Sequence, residues 1–313
     1  MKGFILKGLA FVLACIALAF ISGFVSFMLT SDGVDHDDSL KRDTIKEANQ
    51  LIKETAVNNE STQQHINFII AGIDKGENDT LAFATYDRKN QRLDLVFIPR
   101  DTYYRFKGGK KANVDKIQDV YDSMKVDGLI HAVKDIMGDI EINNHIVTDY
   151  KGFINIIDSI GGVEITIKDR MYYNDPYQKP PLIIDFQPGT YNLNGTDSLK
   201  YIRYIKGNKS NFASRGDDIG RIKETQVFIG KALDKAFTYK LPTVLTTAFK
   251  YLTTDFTAKD IAVIGISLVG IKSENINFHI IPGNMTPENY YVIDKQQLEN
   301  LKNDIYGANN ENQ

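Results

Sequence analysis

The chain has 313 residues, 42% of them hydrophobic and 25% charged, with 23 glycines and 8 prolines; this balance suits a packed core and excludes disorder throughout. The formal charge of −3 gives no support to nucleic-acid binding, which usually shows a basic face. The one cysteine, Cys15, excludes an internal disulfide.

In chain order, Phe4 to Leu29 is apolar apart from Lys7 and a few small residues, and Gly8 to Leu29 is long enough to cross a bilayer as a helix. Lys2 and Lys7 precede this run and Asp32, Asp35, Asp37 and Asp38 follow it, so the positive-inside rule places the N-terminus in the cytoplasm and the rest outside the cell. The run is longer than the apolar region of a signal peptide and has no clear cleavage site, which favours a retained anchor over residues 1–30. Residues 31–64 are polar and read as a stalk, 65–306 as one extracytoplasmic domain, and 307–313 as a disordered tail.

From His65 the texture becomes β-rich. Runs over Ile66–Ile73, Thr80–Tyr86 and Arg92–Ile98 are separated by DKGEND and DRKNQ, and such short connections predict an antiparallel meander. Pro99 cannot donate to a sheet ladder, so the third strand stops there. The meander then brings Asp74, Asp79, Arg100 and Asp101 to one end of the sheet. Further on, Gln118–Met137 reads as a helix, NNHIVTDY as a strand, GFINIIDSIGG as a helix stopped by Gly161 and Gly162, and Val163–Ile167 as a strand. Tyr173–Pro181 reads as a loop, and Asn194–Ile205 and Ile219–Phe237 as helices, the second with Ile222, Ile229 and Leu233 on one face. The alternation predicts an α/β fold: a mixed sheet with an N-terminal antiparallel meander and helices on both faces, preceded by one transmembrane helix.

The five histidines, at 36, 65, 131, 145 and 279, show no metal-ligand spacing, and no G-x-S-x-G, P-loop or G-x-G-x-x-G is present. What remains is a set of cations, Arg100, Lys116, Arg203, Arg215 and Arg221, around an acidic rim. Oxygen donors such as Asp74 and Asp79 suit Mg²⁺ or Mn²⁺, and arginine forks suit phosphate oxygens, so together they describe a phosphate or pyrophosphate site. Each arginine taken alone reads equally well as a surface ion pair.

FIIAGID, NDT, VFIPRDTYY, DKIQDVY, YKGFINIIDSIGGVEI, YNLNGTDSLKYIRY and DDIGRIKETQ occur in the order and spacing of the LytR-CpsA-Psr domain, which the chain resembles over about Asn67–Leu233. The resemblance implies a membrane-anchored phosphotransferase that moves a glycopolymer, such as teichoic acid or capsule, from a polyprenyl-pyrophosphate carrier onto peptidoglycan. It further implies Asp74 and Asp79 as ligands of Mg²⁺ or Mn²⁺, and Arg100, Lys116, Arg203 and Arg221 as substrate-binding residues. Arg100, Asp218 and Arg221 become the catalytic candidates, Asp218 assisting the incoming hydroxyl. Ile154, Ile157, Ile222 and Leu233 would line a prenyl tunnel or pack as core. The sequence departs from the family pattern at Glu77, Ile205 and Thr225, where two cations and a glutamine are expected, with Gln226 one place late. Lys75, Lys206, Lys209 and Arg215 stand near enough in sequence to substitute. A catalytically degenerate member that binds polyprenyl pyrophosphate or wall polymer as a scaffold or regulator is the alternative reading.

Overall fold

The computed structural model describes residues 64–105, 115–138, 140–236, 244, 247, 248, 250–256 and 273–307. The expected anchor, nearly all of the stalk and the end of the tail lie outside these residues. Among the described residues no helix is long and apolar enough to cross a membrane. All elements below belong to one compact unit, residues 65–255 with 270–313.

Three strands open the fold: β1 (His65–Asp74), β2 (Glu77–Asp87) and β3 (Arg92–Ile98). They pair antiparallel in sequence order, as the meander reading requires. The β1–β2 connection is tighter than DKGEND suggests. Lys75 and Gly76 alone form the turn, with φ of 51° and 96°, the paired positive values of a two-residue hairpin. Helix α1 (Val120–Met137) follows, then β4 (Asn144–Asp149), which lies parallel to β1 and makes the sheet mixed. Helix α2 (Tyr150–Ser159) starts directly after it, with the Asp149 carboxylate accepting from the Gly152 amide at 2.7 Å.

A second group of elements is built from β5 (Val163–Ile167), β6 (Met171–Asp175), β7 (Leu182–Phe186), β8 (Gly189–Leu193), helix α3 (Gly195–Arg203) and helix α4 (Asp218–Ala236). Strand β5 pairs with β8 and β6 with β7. Tyr173–Pro181 is therefore not wholly a loop: Tyr173 to Asp175 end a strand, and the prolines are confined to the hairpin connection, where a missing N–H costs no ladder bond. The chain returns to the main sheet with β9 (Thr253–Thr254) and β10 (Ile276–Ile280) and closes with β11 (Gly283–Met285), β12 (Tyr291–Ile293) and helix α5 (Lys295–Tyr306). The six-stranded order is β10-β3-β2-β1-β4-β9.

Strand alternation divides the packing between two faces. Ile69, Ala71, Leu81, Phe83, Val96 and Ile98 meet Leu129 and Val133 of α1 and Leu298 and Ile305 of α5 on one side. In register with Leu95, Phe278 points to the opposite side, where its ring lies 3.6 Å from the position a Cβ would take on Gly230 of α4. Helices thus cover both faces. A second core under α2, α3 and α4 joins Ile157, Ile160, Val163, Ile165, Leu193, Tyr201 and Phe228.

Candidate active site

The site forms at the end of the sheet where β1 and β3 stop, and each side chain arrives there for a local reason. Gly72 pairs with Thr80 but Ile73 pairs with Asn78, so Asp79 is the extra residue of a β-bulge. A bulge re-aims its residue, and here it frees Asp79 from the alternation of β2. Past β3, Pro99 ends the ladder and its carbonyl accepts from the Thr102 amide at 3.0 Å and hydroxyl at 2.6 Å, a closed turn that presents Arg100. Asp218 and Arg221 lie in the first turn of α4, which Asp217 caps by accepting from the Gly220 amide at 3.0 Å. Arg203 is the last residue of α3 and Tyr150 the first of α2.

These groups form one network. Arg100 donates to Asp79 Oδ1 at 3.1 Å, and its Nε lies 3.5 Å from Asp218 Oδ1. Arg221 donates through Nε to the same Asp218 oxygen at 2.8 Å and through a terminal nitrogen to the Asp79 carbonyl at 3.0 Å. The Tyr150 hydroxyl donates to Asp79 Oδ2 at 2.5 Å, and the Arg203 guanidinium stacks 4.7 Å from the centre of the Tyr150 ring. Burial by itself would lower the Arg100 guanidinium, but Asp218, Asp79 and Asp101 outweigh it and raise it above its ordinary value. Burial and the Asp79 charge push the Tyr150 phenol well up, so it remains a donor.

Asp74, Asp79, Arg100, Arg203 and Arg221 line a single cleft of about 390 Å³, together with Lys206, Gln178, Tyr173, Leu182, Ile184, Tyr204 and Ile205. Five of the sequence-derived candidates therefore meet. Lys116 is not among the lining residues: it is ion-paired to Asp101 and sits 5.6 Å from the Tyr290 ring centre. Asp218 does not line the cleft either, being only 7% exposed behind the two arginines it holds, with Oδ2 left without a hydrogen-bond partner. Ile157 and Ile222 are buried, Ile157 within the second core.

The departures from the family pattern also find their places. Glu77 is exposed and pairs across the turn with Asp74, outside the cleft lining. Ile205 does line the cleft, and of the four substitutes proposed from sequence Lys206 alone joins it. Arg215 is spent elsewhere, donating to the Tyr201 and Tyr204 carbonyls at 2.7 Å each at the C-terminal end of α3. Thr225 donates back to the Arg221 carbonyl at 2.9 Å, and Gln226 donates to the His279 carbonyl at 2.9 Å. Sequence reasoning missed Tyr150, Gln178 and Tyr173. A tyrosine opening a helix beside a capping aspartate resembles ordinary core, and only the assembled fold brings it to Asp79.

Among the described residues no three His, Cys, Asp or Glu side chains cluster as a metal site. The cleft's two carboxylates nevertheless offer oxygen donors only, a set that fits Mg²⁺ or Mn²⁺, since such an ion is held by one or two carboxylates and completes its shell with water and phosphate oxygens.

Arginines, a lysine and two carboxylates meet in one cleft at the open end of a mixed sheet in an α/β protein, a donor set of the kind that suits phosphate oxygens. Among known proteins, the LytR_cpsA_psr family matches residues 24–306, and the chain belongs to this family. It is 30% identical over 197 residues to the polyisoprenyl-teichoic acid–peptidoglycan teichoic acid transferase TagU of Bacillus cereus, a match covering 60% of this chain and 60% of that relative. The solved structure of TagV from B. subtilis superposes with a TM-score of 0.63 at 22% identity, over 78% of this chain and 96% of that one. The solved structure of TagT bound to LI-WTA gives a TM-score of 0.60 at 20% identity, over 79% and 91%.

Proposed function

We propose that the protein is a membrane-anchored phosphotransferase that moves a glycopolymer from a polyprenyl-pyrophosphate carrier to peptidoglycan outside the cell. The observation that carries this reading is the single cleft in which Arg100, Arg203, Lys206 and Arg221 face Asp74 and Asp79. Family membership supports it, as do the names of relatives that act on teichoic acid and peptidoglycan. The apolar run Gly8–Leu29 supports the anchor.

Four cations at one cleft hold the two phosphates of the donor, and the planar arginine forks align them. An acceptor sugar hydroxyl attacks the phosphorus that carries the polymer; a new P–O bond forms, the bond to the lipid's phosphate breaks, and polyprenyl monophosphate leaves. The hydroxyl proton passes to a cleft carboxylate or to water. Arg100 and Arg221 stabilise charge on the departing phosphate, and Asp218 fixes both guanidiniums so that little reorganisation accompanies the reaction. Asp74 and Asp79 would hold Mg²⁺ or Mn²⁺, which when bound supplies further positive charge to the phosphate oxygens. Tyr173, Leu182 and Ile184 give the cleft an apolar wall suited to the first isoprene units.

Titrating the full chain in detergent with polyprenyl pyrophosphate and with the corresponding polyprenol tests this reading. Binding of the pyrophosphate but not the alcohol, weakened at least tenfold by Arg203→Glu, is the expected outcome. Equal affinity for both lipids, or binding of neither, overturns it.

A further inference from the structure

Asp79 and Arg203 carry opposite charges and lie on different elements, one in the β2 bulge and the other at the end of α3. No ion pair joins them among the described residues; what both touch is Tyr150. Its hydroxyl donates to Asp79 Oδ2, and the face of its ring carries the Arg203 guanidinium at 4.7 Å. The phenol is well placed to serve both. Asp149 caps α2 one residue earlier, so the helix start that fixes Tyr150 is itself fixed by the Gly152 amide. Gly152 also has no room for a side chain, since a Cβ there would meet the Thr148 hydroxyl at 2.3 Å and the Tyr251 carbonyl at 3.0 Å.

We propose that Tyr150 is a positioning residue with two separable tasks, orienting the Asp79 carboxylate through its hydroxyl and holding the Arg203 guanidinium over the cleft through its ring. This rests on the function proposed above and assigns the division of labour within that site. The hydroxyl takes up one lone pair of Oδ2, which leaves Asp79 a defined set of directions for a cation, as outer hydrogen bonds do for metal-bound carboxylates. The ring acts differently. Arg203 has no carboxylate partner among the described residues, so the cation–π contact supplies its order while leaving its full charge for a ligand anion. Arg100 and Arg221 contrast with it, since both are already engaged with carboxylate oxygens.

The two tasks predict different behaviour for two variants. Tyr150→Phe removes the hydroxyl and keeps the ring; Tyr150→Leu removes both. With the full chain, calorimetry with Mn²⁺ alone and with inorganic pyrophosphate alone reads the carboxylate and guanidinium tasks separately. Tyr150→Phe should weaken Mn²⁺ binding tenfold or more, the range seen when outer partners of metal ligands are removed, with pyrophosphate affinity within about twofold of wild type. Tyr150→Leu should weaken both, pyrophosphate by about three- to tenfold, in keeping with a partly desolvated cation–π contact.

Unchanged binding of both probes by both variants overturns the inference and leaves the proposed function standing. Equal loss of pyrophosphate affinity in Tyr150→Phe and Tyr150→Leu overturns the ring's task, because both variants lack the hydroxyl and only Tyr150→Leu lacks the ring. A wild-type protein that binds neither probe overturns the proposed function and this inference with it. Tyr150 is not part of either core, so Phe is expected to leave the thermal midpoint within a few degrees, and that variant keeps the test decisive if Leu does not fold.

Discussion

Arg221 shows most clearly how one side chain of this site is specified. Its guanidinium spans two directions at once, reaching the Asp218 carboxylate through Nε and the Asp79 carbonyl through a terminal nitrogen, and it is only 6% exposed. Lysine carries the same charge but presents one compact ammonium, which does not serve both acceptors in this geometry. Arg221→Lys should therefore leave one buried acceptor unpaired and cost about 1–3 kcal/mol of stability, read by denaturant unfolding, along with a large loss of transfer activity. A variant as stable and active as wild type would show that charge alone matters at this position. The same residue illustrates what the sequence discloses. The spacing from Asp218 to Arg221 is a helical i,i+3 pair and could be read directly, whereas the bond to the Asp79 carbonyl joins residues far apart in the chain and depends on the bulge. Lys116 shows the reverse case: its charge and its setting in DKIQDVY suggested the cleft, but Asp101, only fifteen positions away, takes it.

Among the elements, the meander was legible because its strands are nearly continuous apolar runs set apart by short polar connections, and α4 because its apolar face is continuous. Strands β9, β11 and β12 have two or three residues each, too few for any period to show. Hairpin β6–β7 was hidden by its proline-rich connection. The α2 stop was visible as Gly161-Gly162, and the structure explains both glycines, with φ of 78° and 80°. Gly162 carries a second constraint, since a Cβ would come within 2.6 Å of the Leu193 carbonyl at the β5–β8 pair. Gly216 has a similar φ of 82° with nothing within 4 Å. The two positions separate backbone strain from crowding. Thermal unfolding should show Gly162→Ala destabilised by roughly 2–3 kcal/mol and Gly216→Ala by about 1 kcal/mol. Equal effects would mean that strain alone sets the cost and that the close approach to Leu193 relaxes freely.

For the whole molecule, the net charge of −3 is not spread evenly: the lining of one cleft holds four cations against two carboxylates, as the proposed phosphate ligand requires, and Glu77 stays in solvent outside it. The loss of a cation at Ile205 is accompanied by Lys206 in the same wall. The central claim is that this cleft transfers the polymer, and a scaffold built on the same fold would bind without consuming the donor. The measurement that separates these is donor consumption and donor affinity, taken side by side for wild type and Arg100→Ala, with a polyprenyl-pyrophosphate-linked wall polymer and peptidoglycan acceptor. Arg100 sits between Asp79 and Asp218, which hold it in place in its protonated form, so its removal should lower turnover by at least a hundredfold, as expected for one lost donor to developing charge. Turnover by wild type that Arg100→Ala loses is the predicted result; tight, Arg100-dependent donor binding with no turnover in wild type would contradict the account.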